Sequence, residues 1–445
     1  MRRNAWALEI TAEAVVMHAG RSVEVHDDWL AEGAWSGDFS AEGLLASGFV
    51  CGSGAVIRDD SVHLVGPSHS IEGVYCFVEP GRVTLSNSVH LVIALRPPAM
   101  PTVLEEVRRR AHTMKLGRAD YARVLYHVPA GLMMRFASGR VLVDRSDLSV
   151  REVHAGPPAE PAFHTFAGYR NLLRDTLASL VANARHPART SPYGPLVSTV
   201  SSGYDSAACA ALARELGCDG CITVGTARGG GGDSGRRVAA ALGLACQEHE
   251  RFGTGLESRD DPRAVFRLGA HHLREEHQDF LASVNSSEDL FFSVFEPHLA
   301  GAILFTGFHG DKVWDVGCPS GPMIVRGDAS GSGLDEFRKR VGFVNVPVPY
   351  IGAVHAGQIA RIGEAAEMQP YRVEGDYDRP IPRRIAEEAG VPRALFGVRK
   401  RAGSVIIADA AEARERAFNA LVDEYRAALV VDCPNVRVGA PAVAG

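Results

Sequence analysis

No stretch of this chain approaches the ~18 consecutive apolar residues of a membrane-spanning helix, so no membrane role is expected. A basic surplus is missing as well. Lys and Arg number 47 against 53 Asp and Glu, a formal net charge of −6, which argues against a protein built to wrap nucleic acid. Cysteine is sparse, eight in 445 residues, and apart from one Cys-x-x-Cys the spacings suggest no disulfide framework. The opening residues Met1-Arg2-Arg3-Asn4-Ala5-Trp6 lead into polar sequence without the apolar core of a signal peptide, so the expected location is the cytoplasm. A Walker loop is lacking too, because no Lys-Ser/Thr follows the glycines of Gly229-Gly230-Gly231-Gly232-Asp233-Ser234-Gly235. What remains is an ordinary globular composition, 46% hydrophobic and 22% charged, in a chain long enough for two domains.

The chain has two textures. Up to about residue 130, alternating segments such as Ala14-Val15-Val16-Met17-His18, Gly73-Val74-Tyr75-Cys76-Phe77-Val78 and residues 82–92 are separated by Gly, Asp and Pro turns, which predicts a β-rich unit. Residues 124–136 predict two strands about a Pro129-Ala130-Gly131 turn. Residues 166–181 place apolar side chains at 169, 172, 173, 177, 180 and 181 on one helical face, a helix expected to bridge the two units.

The second unit is organised around residues 196–213. Leu196-Val197-Ser198-Thr199-Val200 reads as a buried strand, Ser201-Ser202-Gly203 as a turn, and Tyr204-Asp205-Ser206 as the first turn of an Ala/Leu-rich helix. Unpaired N–H groups and the positive end of the helix dipole make such a junction an oxyanion cradle. Further on, Ala302-Ile303-Leu304-Phe305-Thr306 predicts a strand ending in Gly307-Phe308-His309-Gly310-Asp311, a second loop at the C-terminal edge of the same sheet. Other motifs carry less. Cys218-Asp219-Gly220-Cys221 falls at the edge away from ligands. Asp233 reads as a helix cap, Ser286 as the cap of a helix with acids in its first turn, and His271 to His277 as a solvated charged face.

Ser201-Ser202-Gly203-Tyr204-Asp205-Ser206 resembles the Ser-Gly-Gly-x-Asp-Ser loop of the PP-loop ATP pyrophosphatases. Gly307-Phe308-His309-Gly310-Asp311 resembles the Gly-x-Gly-x-Asp-Glu loop of asparagine synthetases and β-lactam synthetases. Phe396-Gly397-Val398-Arg399-Lys400-Arg401-Ala402-Gly403 resembles that family's basic Arg-Lys-Lys-x-Gly segment, and Val128-Pro129-Ala130-Gly131…Phe136 its Val-Pro-x-Gly-x-x-x-x-Phe segment. The resemblance is to the asparagine synthetase-like amide ligases, a group that includes lasso peptide cyclases.

The resemblance implies an α/β fold. A β-rich Ntn-like domain over 1–160 would precede a parallel-sheet PP-loop synthetase domain over 161–433, with a disordered tail over 434–445. It implies ATP and Mg²⁺ as cofactors. Ser201, Ser202, Gly203, Tyr204, Asp205, Ser206, Val224, Gly307 and Gly310 would bind ATP and its pyrophosphate. Asp205 and Asp311 would hold the metal, and Lys400 would stabilise the leaving group, with Arg399 or Arg401 as substitutes. Asp233 matches an acid that the family carries after its second strand.

Two departures stand out. Arg2 occupies the place of the glutaminase Cys nucleophile, and a guanidinium has no nucleophilic lone pair, so the amine is expected preformed and not drawn from glutamine. Phe308 stands where the family has Glu or Tyr, which leaves His309 as the candidate base. The implied function is AMP-forming amide ligation of a small-molecule or peptide carboxylate to an amine. Adenylation for a tRNA or sulfur acceptor with Cys209 or Cys318, a degenerate binding subunit, and assembly as a homodimer or with a pathway partner protein stay open.

Overall fold

The computed structural model describes residues 1–96, 104–117, 120–153, 163–228, 230–254, 265–267, 274–317, 327–375, 377–397, 401–408, 410–431 and 436–439. Its first half follows from period-two alternation. Leu8 and Ile10, Val15 and Met17, Val83 and Leu85 turn to one side of a seven-stranded antiparallel sheet. Leu30, Ala55, Ile57, Val62, Leu64 and Val141 turn toward them from a six-stranded antiparallel sheet, and together they form the core of a two-sheet sandwich. The seven-stranded sheet contains Arg82–Ser86 at its centre with Trp6–Ile10 beside it, and Gly131–Phe136 paired with Val124–Val128 at one edge, as the turn signal predicts.

Two expectations for this half change. The strand read over 82–92 stops at Ser86, because the Ser88 hydroxyl accepts a hydrogen bond from Leu91 N and caps a helix over Val89–Leu95. The tail read as disordered contributes a strand, Val436–Gly439, antiparallel to Ala14–Ala19 at the other edge of the seven-stranded sheet. The backbone of Ala14–Ala19 offers an open edge, and an alternating Val-Arg-Val segment has the propensity to fill it.

The second half is built on five parallel strands: β1 (Leu196–Thr199), β2 (Gly220–Val224), β3 (Ala245–His249), β4 (Ile303–Thr306) and β5 (Val344–Pro347). Their order is β3-β2-β1-β4-β5. Helix α1 (Tyr204–Glu215) follows β1. The central strands β1 and β4 read as short apolar runs because both faces are covered. On one face lie α1, Phe166–Ala184 and Pro380–Glu388; on the other lie Glu288–His298, Asp335–Val341 and Ala411–Val431. The order reverses between β1 and β4, so the loops leaving their C-terminal ends diverge and open a crevice.

The halves are joined through their cores. The helix Phe166–Ala184, capped by Thr165, packs Tyr169, Leu173 and Leu177 into the cluster that also holds Ala34, Phe49 and Cys51 of the first half. Ala411–Val431 crosses back and seats Phe418 and Val422 against Tyr75, Phe77 and Val92. Arg2 is sealed between halves, donating to Asp279 Oδ1 at 2.6 Å and to both carboxylate oxygens of Glu424 at 3.0 and 2.8 Å. Among the described residues, no helix is long and apolar enough to cross a membrane.

Candidate functional site

The loop between β1 and α1 is closed on itself by serine hydroxyls. Ser201 N donates to Ser206 Oγ at 3.0 Å, the Ser201 and Ser206 hydroxyls lie 2.8 Å apart, and Gly203 N donates to Ser201 Oγ at 3.1 Å. The Ser201 and Gly203 N–H groups ahead of α1 are therefore held by weak neutral acceptors. An anionic phosphate oxygen is a stronger acceptor of the same donors. Ser202 is not among the described non-glycine residues with positive φ, so its replacement of a family glycine needs no glycine-only backbone.

Asp233 does not cap a helix. Gly235 is the N-cap of Arg236–Ala241, and Asp233 Oδ1 accepts from Ser202 Oγ at 2.6 Å and from Ser202 N at 3.3 Å. Burial pushes the Asp233 carboxyl above its usual range, against the two Ser202 hydrogen bonds that pull it down. Its role is to buttress the first loop from the glycine-rich segment beside it.

The loop after β4 approaches α1 closely enough to exclude side chains. A Cβ at Gly307 would stand 2.9 Å from the Asp205 backbone carbon, and one at Gly310 would stand 2.3 Å from Asp205 Cγ. Between these glycines His309 adopts φ +63°, one of two described non-glycine residues at positive φ. Its Nε2 lies 2.9 Å from the Ser330 carbonyl oxygen, an acceptor, so Nε2 carries a proton and Nδ1 is the ring's other nitrogen. Asp328 Oδ1 stands 3.9 Å from that Nδ1. The carboxylate of Asp289 orders this neighbourhood, accepting from Gly331 N at 2.9 Å and Gly333 N at 2.8 Å.

These loops rim a cleft of about 420 Å³ at the crevice between β1 and β4. Ser201, Gly203, Asp205 and Ser206 line it from the first loop, Gly307, His309 and Asp311 from the second, and Val224 from the end of β2. Three residues expected at the site lie behind its surface. Ser202 faces Asp233. Gly310 packs under Asp205. Tyr204 is fully buried, bonded to Arg383 and packed edge-on to Phe396. Lys400, with Arg399, lies outside the described residues. So do Cys318, His271 and His272. Arg401 lines the cleft and donates to the Gly232 carbonyl. A wall of Phe291, Phe292, Phe295 and Phe308 closes one side, with the Phe292 and Phe308 rings 5.7 Å apart.

The residue that sequence reasoning missed is Arg379. It immediately precedes Pro380–Glu388, and its guanidinium pairs with Asp205 Oδ2 and with Asp315 Oδ2, the latter at 3.0 Å. It lies over the Tyr377 ring at 4.9 Å. Burial works against its charge, but Asp205, Tyr377, Asp311 and Asp315 outweigh burial and raise its pKa. An Arg at a helix start carries no local pattern that marks such a partner 174 residues away.

Other candidates fall to burial. Cys218 and Cys221 are buried free thiols, and Cys218 donates to the Leu196 and Gly220 carbonyls. Cys209 is on the buried side of α1, and burial pushes its thiol pKa well up, so it presents no thiolate to the cleft. Of the stretch read as a solvated charged face, Arg274, Glu275 and Glu276 are exposed, while His277 is buried, tilted against Phe252 with ring centroids 4.1 Å apart and accepting from Arg274 N. A scan of protein-family models finds no match to this chain, and a search of curated sequences finds none.

Proposed function

We propose that the chain is an ATP-dependent, AMP-forming amide ligase of the asparagine synthetase-like kind. We read its five-stranded sheet as a PP-loop ATP pyrophosphatase fold and its sandwich as a degenerate Ntn-like glutaminase domain. The observation that carries this reading is the meeting of two aspartate-bearing loops, Ser201 to Ser206 and Gly307 to Asp311, at the one reversal point of a β3-β2-β1-β4-β5 sheet. Ligands of parallel sheets bind at that point.

A carboxylate resists attack by an amine because it is anionic and lacks a leaving group. On this reading its oxygen attacks the α-phosphorus of ATP, the α–β phosphoanhydride bond breaks, and pyrophosphate leaves. The amine then attacks the acyl-adenylate and AMP departs. The residues suit the first step. Loop N–H groups at the head of α1 receive the leaving charge, aided by Arg401 beside the glycine segment and by Lys400. The donor set also suits Mg²⁺, since Asp205 and Asp311 offer hard carboxylate oxygens on adjoining loops. Among the described residues no three metal-ligating side chains converge, so Mg²⁺ there would need its remaining ligands from phosphates and water. Bound there, Mg²⁺ would neutralise charge on the departing pyrophosphate. For the second step, His309, which lines the cleft, is the candidate base.

The first half serves as structure on this reading. Arg2 is held by Asp279 and Glu424. The buried Cys209 gives no support to sulfur transfer.

The test is ATP–pyrophosphate exchange across a panel of carboxylic acids, with wild type and Asp205→Ala side by side. Exchange that depends on one acid and falls at least about 10²-fold in Asp205→Ala is the expected result. Exchange that never appears, or that survives in the variant, sinks the assignment.

A further inference from the structure

Asp205 faces two demands that pull against each other. As a metal ligand it must present its carboxylate to a divalent cation. In this structure the same carboxylate is engaged by Arg379, whose side chain is 3% exposed. That guanidinium is anchored from a second side by Asp315 and from below by the Tyr377 ring, so it is built into the site and does not reach in from solvent. Two cations sharing one carboxylate repel each other across a short, poorly screened distance. Extra negative charge in the cleft is what lets both stay.

Resting on the ligase reading above, we infer that Arg379 is the resident counter-cation of Asp205, as Lys312, 3.1 Å from Asp311 Oδ2, is of Asp311. It holds Asp205 in place while the cleft is without nucleotide, and a divalent cation reaches that carboxylate only together with the negative charge of the phosphates. The consequence is an order of binding. The metal arrives as the metal–nucleotide complex, and free metal alone is refused. Asp315, paired with Arg379 from the far side, keeps the guanidinium in reach of Asp205.

The experiment measures Mn²⁺ binding to the full chain from the loss of the free-ion electron paramagnetic resonance signal, without nucleotide. Wild type is expected to bind Mn²⁺ weakly. Arg379→Gln is expected to bind at least tenfold more tightly, Arg379→Lys to stay near wild type because the charge is kept, and Arg379→Gln with Asp205→Asn to lose the gain. An Arg379→Gln chain that is folded by circular dichroism yet binds Mn²⁺ no better than wild type overturns the inference. If Arg379→Gln does not fold, wild type still decides, since stoichiometric uptake of Mn²⁺ by wild type without nucleotide also overturns it. The ligase reading fails separately. A chain that never binds an ATP analogue but shows the Mn²⁺ gain in Arg379→Gln loses the ligase reading and keeps Arg379 as guardian of Asp205.

Discussion

His309 bears a cost that its neighbours do not. A left-handed backbone at a non-glycine residue costs on the order of 1 kcal/mol, and here the surrounding loop enforces it between Gly307 and Gly310. Asn tolerates the same backbone and cannot take up a proton. His309→Asn is therefore expected to keep pyrophosphate exchange within a few-fold of wild type while amide formation falls about 10²-fold, measured as AMP and amide product in the presence of the amine. Equal loss of both steps would make His309 a structural residue only. At this scale the sequence was legible where chemistry is local. Ser201, Asp205, Ser206 and Asp311 sit beside strand ends and helix starts, and the structure brings them to one cleft. Arg379 was not legible, because its partners Asp205 and Asp315 are set by tertiary folding alone. Asp233 was misread for the same reason. An acid before a helix fits a cap, and only the packed structure shows Ser202 as its partner.

At the scale of elements, the site depends on how closely the loop after β4 rides on α1. Two glycines make that approach possible, and Gly310 is the tighter. Gly310→Ala sets a methyl group into the space of the Asp205 carboxylate, so either that side chain or the loop must move. Pyrophosphate exchange is expected to fall nearly as far as in Asp205→Ala, while urea unfolding shows a loss of only about 1–3 kcal/mol. Exchange at the wild-type rate would mean that Asp205 does not need its present position. Elements with strong punctuation were legible: β1, its loop and α1, the strand β4, and the hairpin about Pro129 all form as their residues predict. Residues 82–92 were not. Apolar and β-branched residues run on past Ser86, and one capping hydroxyl at Ser88 converts the remainder to helix.

At the scale of the molecule, the two halves share charges as well as cores. Arg2 and Asp279 are almost fully buried and belong to one charge network, in which Asp279 also pairs with Arg340 at 2.6 Å and Arg2 with Glu424 at 2.8 Å, so removing Arg2 leaves Asp279 one cation short but still paired. Arg2→Ala is expected to lower stability by about 1–3 kcal/mol, read from chemical unfolding, and to leave the chain without glutaminase activity. A cost under about 1 kcal/mol would show that the halves are held by their apolar contacts alone. The expected boundary near residue 160 captures the change of texture in the sequence but not this interlocking, since Ala411–Val431 returns to the first half.

The edge strand Val436–Gly439 has a consequence in time. During synthesis the ribosome releases Ala14–Ala19 more than four hundred residues before the strand that pairs with its open side. Arg2 likewise waits for Glu424. The sandwich therefore emerges well before the strand that closes its edge, and until Ala411–Val431 and Val436–Gly439 have left the ribosome it carries an exposed sheet edge open to pairing with neighbouring chains.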